Sequence, residues 1–240
     1  MLTDSGGYQI FAMGCGSVSK EIKGNKKQIW EPSLISIKEE GAKFKSYRDK
    51  SVKLLTPEKS IQVQRDLGAD FILVFDECTP YNVTKQYTED SMRRSHRWAQ
   101  RSIEEFEKYN NNTQALYGIV QGSTYKDLRL ESIEFNNANP FFAIAVGGSL
   151  GDSTEMMHDT VTFTMKHLNT ASRPIHLLGI GKVIDIFHGV RQGIDTFDCV
   201  HPTRLARHSG ALVKSNYWEK LESIDTNKKI TRREHIDLTK

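Results

Sequence analysis

Hydrophobic residues in this chain gather into short runs of strand length, and each run gives way to polar residues. Phe71-Ile-Leu-Val-Phe75 leads into Asp76-Glu-Cys78, and Leu116-Tyr-Gly-Ile-Val120 into Gln121-Gly122. Phe141-Phe-Ala-Ile-Ala-Val146 leads into Gly147-Gly148, His176-Leu-Leu178 into Gly179-Ile-Gly181, and Ile194-Asp-Thr-Phe197 into Asp198-Cys199. Between them lie amphipathic stretches that predict helices over about 57–67, 88–108, 124–137, 153–168 and 183–192. Thr56-Pro57-Glu58 opens the first of these with a threonine cap and a proline at the first helical position, and Gly68 stops it. Strands alternating with helices predict a parallel β/α array. In a (β/α)8 barrel of the TIM type the carboxyl ends of the strands form the reactive face, so Asp76, Gln121 and Asp198 are expected to share one pocket.

A closed barrel of this type needs eight strands. Five good runs and a strand end at Leu2-Thr3 are present, so the barrel is expected to be incomplete in this chain. Alternating segments at 33–38 and 42–47, with turns at Gly41 and Arg48–Ser51, predict a small antiparallel insertion within residues 22–56. Residues 1–210 read as the barrel core, and 211–240 as a separate polar, basic segment in which the apolar rhythm fades.

With 240 residues, 38% of them hydrophobic, the chain can form one large domain, and no apolar run approaches the ~18 residues of a membrane span. The start carries neither the basic nor the apolar portion of a signal peptide, so the cytoplasm is the expected compartment. Three scattered cysteines without a Cys-x-x-Cys pair fit a reducing environment, and Cys78 and Cys199 read first as small buried side chains. Residues 201–240 hold nine Lys/Arg against five Asp/Glu. A basic terminal stretch beside an acidic pocket suits a polyanion gripped at one end and reacted at the other, although charge alone fits a solvated surface equally well.

Two carboxylates from different strands are the minimum for displacement at a sugar carbon: one attacks or stabilises an oxocarbenium-like centre while the other moves a proton. Asp76 accepts from ring and amino N–H groups, and the Gln121 amide donates to a carbonyl oxygen, which together read a purine-like edge. Gly147 and Gly148 allow a ligand to approach the main chain, and Tyr8 offers a stacking face.

Thr3-Asp-Ser-Gly-Gly-Tyr-Gln9, Phe75-Asp-Glu-Cys-Thr-Pro-Tyr81, Gly118-Ile-Val-Gln-Gly122 and Phe197-Asp-Cys-Val-His-Pro-Thr-Arg-Leu-Ala-Arg207 resemble the tRNA-guanine transglycosylase family, in order from about residue 2 to residue 210. The resemblance implies a (β/α)-barrel enzyme that exchanges guanine at the anticodon wobble position (GUN anticodons) for a free 7-deazaguanine, preQ1 or queuine, in queuosine modification. It implies Asp198 as nucleophile on ribose C1′ and Asp4 as general acid/base. Asp4, Ser5, Gly6, Gly7, Tyr8, Asp76, Gln121 and Gly148 would bind the base. RNA contact would fall to Gly179, Ile180, Gly181, Lys182, Val183, Ile184 and Asp185, and to Thr203, Arg204, Leu205, Ala206 and Arg207. The family also implies a structural zinc and a homodimer, with no organic cofactor and no membrane partner. The family carries a substantial segment ahead of the Asp4 motif, and its zinc ligands would lie beyond residue 240, so the chain reads as truncated at both ends. Arg204 and Arg207 are placed to hold phosphates while a base is turned out of its stack. At the base pocket the chain reads Gly147-Gly-Ser-Leu-Gly-Asp152, which puts Gly151 at a position usually held by valine and is expected to leave room for a bulkier 7-substituent such as that of queuine.

Two rival readings stand beside the enzyme. One is a non-catalytic tRNA-binding or accessory subunit of the same lineage. The other is a retaining glycoside hydrolase, which would want sugar-stacking aromatics at the strand ends, whereas Trp30, Trp98 and Trp218 lie elsewhere.

Overall fold

The computed structural model describes residues 1–15, 33–109, 112–214, 216–217 and 235–238. Strand β1 (Leu2–Thr3) and helix α1 (Gly7–Cys15) precede an antiparallel trio, β2 (Leu34–Lys38), β3 (Gly41–Lys45) and β4 (Val52–Leu55). Strands and helices then alternate: α2 (Pro57–Asp66), β5 (Phe71–Leu73), α3 (Lys85–Lys108), β6 (Ala115–Val120), α4 (Lys126–Ala138), β7 (Ala143–Val146), α5 (Thr154–His167), β8 (Ile175–Leu177), α6 (Val183–Gln192), β9 (Thr196–Phe197) and α7 (His201–Arg207). Strands β10 (Gly210–Leu212) and β11 (His235–Asp237) pair with each other. The six strands β1, β5, β6, β7, β8 and β9 form, in that order, one all-parallel sheet that curls as part of a (β/α) barrel. The expected incomplete barrel and the antiparallel insertion are both there, the latter over the described residues 33–56; residues 22–32 lie outside them.

Local chemistry sets the boundaries. Thr56 Oγ1 accepts from Lys59 N, with Pro57 opening α2 as expected. Helix α3 begins at Lys85, three residues before the apolar rhythm suggests, because Thr84 Oγ1 accepts from Tyr87 N and its carbonyl from Thr88 N. Val74 N still donates to Tyr117 O of β6 at 3.1 Å, and beyond it the chain leaves the sheet and its N–H groups turn to α3. Phe75 N donates to Ser102 Oγ at 3.3 Å and Glu77 N to Ser95 Oγ at 2.9 Å. Past Val120 the same device recurs, with Gln121 N donating to Ser132 Oγ of α4 at 2.9 Å. Buried helix serines thus satisfy the backbone past the ends of β5 and β6, and they steer Asp76 and Gln121 onto the rim.

Apolar clusters lie between the sheet and the outer helices; one joins Ile72, Leu73, Leu116 and Ile119 with Ala99 and Ile103, and another joins Ile144, Val146, Ile175 and Leu177 with Val161 and Met165. A third cluster seats the insertion. Ile10, Ala42, Phe75 and Trp98 are buried together, with Leu34, Ile37, Phe44 and Leu55 against them. Trp98 stacks on Phe75 at 4.7 Å and donates its ring N–H to Glu39 O at 2.8 Å. Arg101 donates to the same carbonyl at 2.7 Å and forks onto Glu58. The insertion is thereby pinned to α3, and α1 packs against it, which holds the Asp4–Tyr8 segment over the end of β5. No helix among the described residues is long and apolar enough to cross a membrane.

Candidate active site

Asp76 is the hub of the rim. Its side chain is buried, Ser5 Oγ donates to Oδ1 at 3.0 Å, and Gln121 Nε2 donates to Oδ2 at 2.7 Å. Ser5 is itself held by Ser60, whose hydroxyl donates to Ser5 O at 2.6 Å. Gly7 opens α1 directly over this carboxyl: a Cβ there would lie 2.2 Å from Asp76 Oδ1 and 2.7 Å from Asp76 O. Only a residue without a side chain permits that approach. Tyr8, next on α1, keeps an exposed ring.

Burial pushes the Asp76 carboxyl up to about 7, with the charges of Asp4 and Glu77 adding to it and the Ser5 hydrogen bond opposing. Because the folded state holds this proton more tightly than the unfolded chain, stability from this group is full below the unfolded pKa near 4 and falls as pH rises towards 7. Between pH 5 and 7.5, urea unfolding of the wild-type chain is expected to lose roughly 2 kcal/mol relative to Asp76→Asn, which has no such proton. A constant difference between the two proteins would refute the assignment.

Asp4 and Asp198 come from the two outer strands of the sheet. Asp4 follows β1, and its Oδ1 accepts from Ser5 N at 2.8 Å. The walls around Asp4 desolvate it although its tip reaches solvent, and its pKa is raised by that desolvation and by the nearby charge of Asp198. Asp198 follows β9 and is treated in the opposite way. Gly179 N donates to its Oδ1 at 2.8 Å and His176 Nε2 stands 3.3 Å from the same oxygen. Partial burial works against its charge, yet these groups hold its carboxyl below the ordinary value. Gly179 can present its N–H because it adopts φ +71°, a conformation that favours glycine.

His176 was not legible as a site residue, since it sits inside an apolar run. Its ring is buried in β8; Nδ1 meets Thr196 Oγ1 at 2.8 Å across the β8–β9 register, leaving Nε2 towards Asp198 but off the line of a good hydrogen bond. Glu77 is buried behind Asp76, accepts from Tyr87 OH at 2.7 Å and pairs with Arg94. Arg129 of α4 is also fully buried, and no described carboxylate pairs with it. Its Nε donates to Ser123 O and its Nη2 to Gly147 O, both at 2.7 Å, while Nη1 has no partner. A charged residue on an otherwise amphipathic helix carries no sign of this in the sequence.

The loop after β8 divides. Lys182, Val183 and Ile184 are exposed, whereas Asp185 turns inward to His158 at 3.0 Å, so its side chain is not offered to a ligand. Gly181 packs on Cys199, where a Cβ would meet Cys199 Cβ at 2.3 Å; Cys78 and Cys199 are half-buried rather than fully buried. On α7, Thr203, Arg204, Ala206 and Arg207 are exposed and Leu205 is tucked against Gly210. The room expected at Gly151 is already taken: a Cβ there would lie 2.6 Å from Met156 Cγ, and Met156 Sδ accepts from Tyr81 OH at 3.3 Å. No three His, Cys, Asp or Glu side chains cluster as metal ligands among the described residues.

The sequence that builds this site resembles known proteins. The family described as queuine tRNA-ribosyltransferase matches residues 1–237. Proteins of that name resemble the chain at 42% identity over 225 residues in Roseiflexus sp. (strain RS-1), covering 89% of this chain and 56% of the relative. The Protochlamydia amoebophila (strain UWE25) protein is 46% identical over 216 residues, 89% of this chain and 55% of its own length. The Chlamydia pneumoniae protein is 41% identical over 215 residues, 90% of this chain and 57% of its own. The chain spans about half the length of the curated relatives it matches.

Proposed function

Because this chain belongs to the queuine tRNA-ribosyltransferase family, we propose that it carries the reacting groups of a tRNA base exchange at a wobble guanine. The observation that supports this reading best is the opposed treatment of two carboxylates on one rim: Asp198 is held ionised, while Asp4 is pushed towards carrying a proton. An Asp198 oxygen attacks ribose C1′ as the C1′–N9 bond breaks, and the departing guanine takes that electron pair and a proton from Asp4. The incoming 7-deazaguanine then returns its N9 proton to Asp4 and attacks C1′, releasing the Asp198 carboxylate. Bond type is conserved across the two steps, so no nucleotide cofactor is consumed.

Asp76 accepts from the ring and amino N–H groups of the base, and Gln121 Nε2, now on Asp76, turns to donate to the carbonyl oxygen. Gly148 N–H donates beside it, and Tyr8 covers the ring. Exposed Lys182, Arg204 and Arg207 take phosphates around the turned-out nucleotide. Competition between queuine and preQ1 for incorporation decides the incoming base, with Met156 as the wall beside Gly151.

The test is to trap the covalent RNA adduct. The purified chain is incubated with tRNA carrying wobble guanine and run on a denaturing gel beside Asp198→Asn. A slow band present in wild type and absent in the variant supports the proposal. Soluble, tRNA-binding protein without a band supports the accessory-subunit reading instead.

A further inference from the structure

Arg129 is a cation at full burial with no countercharge among the described residues, and such a group is costly unless its environment uses the charge. Its two good hydrogen bonds go to carbonyls at the ends of the strands that carry the base-reading groups. Nε takes Ser123 O, two residues after Gln121, and Nη2 takes Gly147 O. The carbonyl of Gly147 and the N–H of Gly148 belong to one peptide unit. The same corner is crowded from three sides: a Cβ on Gly148 would lie 3.0 Å from Gln121 Oε1, 3.6 Å from Arg129 Nη2 and 3.6 Å from Ser123 N.

We propose that Arg129 is a positioning residue that polarises the Gly147–Gly148 peptide, making Gly148 N–H a stronger donor to the carbonyl oxygen of the bound base. A charged donor on the C=O of an amide draws electron density towards that oxygen and leaves the N–H more acidic, and such chains strengthen one another where water is excluded. The base carbonyl shares the electron pair released to the ring as the glycosidic bond breaks, before Asp4 delivers its proton, so the effect is larger for the departing base than for the resting one. The guanidinium remains protonated at neutral pH, since burial lowers it only to about 9. Its planar fork also ties the two loops together, which a lysine point charge does less completely.

The inference rests on the base-binding role of Gly148 proposed above, and the experiment separates the two. Guanine affinity is measured by calorimetry on the full chain, wild type, Arg129→Gln and Arg129→Lys. The carbonyl stretch of bound guanine is isolated by 18O labelling and infrared difference. Arg129→Gln keeps an amide donor but not the charge, so its dissociation constant is expected to rise about tenfold and the stretch to move up towards its value in water. Arg129→Lys keeps the charge, so its stretch is expected to stay close to wild type; this arm stands alone if the glutamine variant does not fold. A tenfold loss of affinity with an unmoved stretch in Arg129→Gln means a purely structural role and overturns the inference. A stretch that moves as far in a folded Arg129→Lys as in water overturns it too. If wild type binds no guanine, the base-binding reading fails and takes this inference with it.

Discussion

Asp198→Asn is expected to leave a folded, tRNA-binding protein whose base-exchange rate falls at least about 10⁴-fold, the scale seen when a nucleophile is removed. Asparagine keeps the shape of the group, and its amide oxygen still accepts from Gly179 N, now 2.8 Å from Asp198 Oδ1. What disappears is the anion. In the native site the Gly179 amide and His176 keep that anion poised below the ordinary carboxylate range against the pull of partial burial. An amide cannot form the ester with C1′, so the slow gel band disappears with the turnover. Because the side chain is half exposed, urea unfolding should shift little. Retention of the band in the variant would move the nucleophile elsewhere and sink the scheme.

The second large effect is expected at Gly7→Ala. The added carbon would overlap Asp76 Oδ1 at 2.2 Å and the Asp76 carbonyl at 2.7 Å. A side-chain oxygen could swing away, but a backbone carbonyl cannot, so the first turn of α1 must retreat from β5. Alanine gains about 1 kcal/mol of helix propensity over glycine, against an overpacking cost of about 1–3 kcal/mol. A net loss of about 0–2 kcal/mol is expected in urea unfolding. Function suffers more than stability. Retreat of α1 breaks the Ser5 Oγ–Asp76 Oδ1 bond, now 3.0 Å, and lifts Tyr8 from the base. Guanine affinity is expected to drop about a hundredfold, as for a loss of roughly 3 kcal/mol. Unchanged guanine binding by calorimetry would show that α1 does not close the pocket.

Much of this was legible before the structure because strand ends leave a double mark: an apolar run, then a polar residue that the run cannot bury. Asp76, Gln121 and Asp198 carry that mark and arrive on one edge. Groups that act from inside an element carry no such mark. His176 is the middle residue of a three-residue strand with Ile175 and Leu177 on either side. Arg129 lies between Leu128 and Leu130 on a helix rich in charge, so its burial depends on which face meets β6 and β7. The serines of α3 and α4 read as ordinary polar positions, and their work is visible only beside the amides they accept. Gly151 shows the opposite failure: a residue missing its side chain suggests space, but the neighbouring Met156 has already filled it.

Those serines carry a kinetic consequence. The amides of Phe75, Glu77 and Gln121 donate to helix hydroxyls and not to a neighbouring strand. Their deuterium uptake is therefore expected to follow excursions of α3 and α4 away from the sheet more than separation of the strands themselves. The ends of β5 and β6 are thus expected to loosen and re-form with their helices while the middle of the sheet stays paired beneath them.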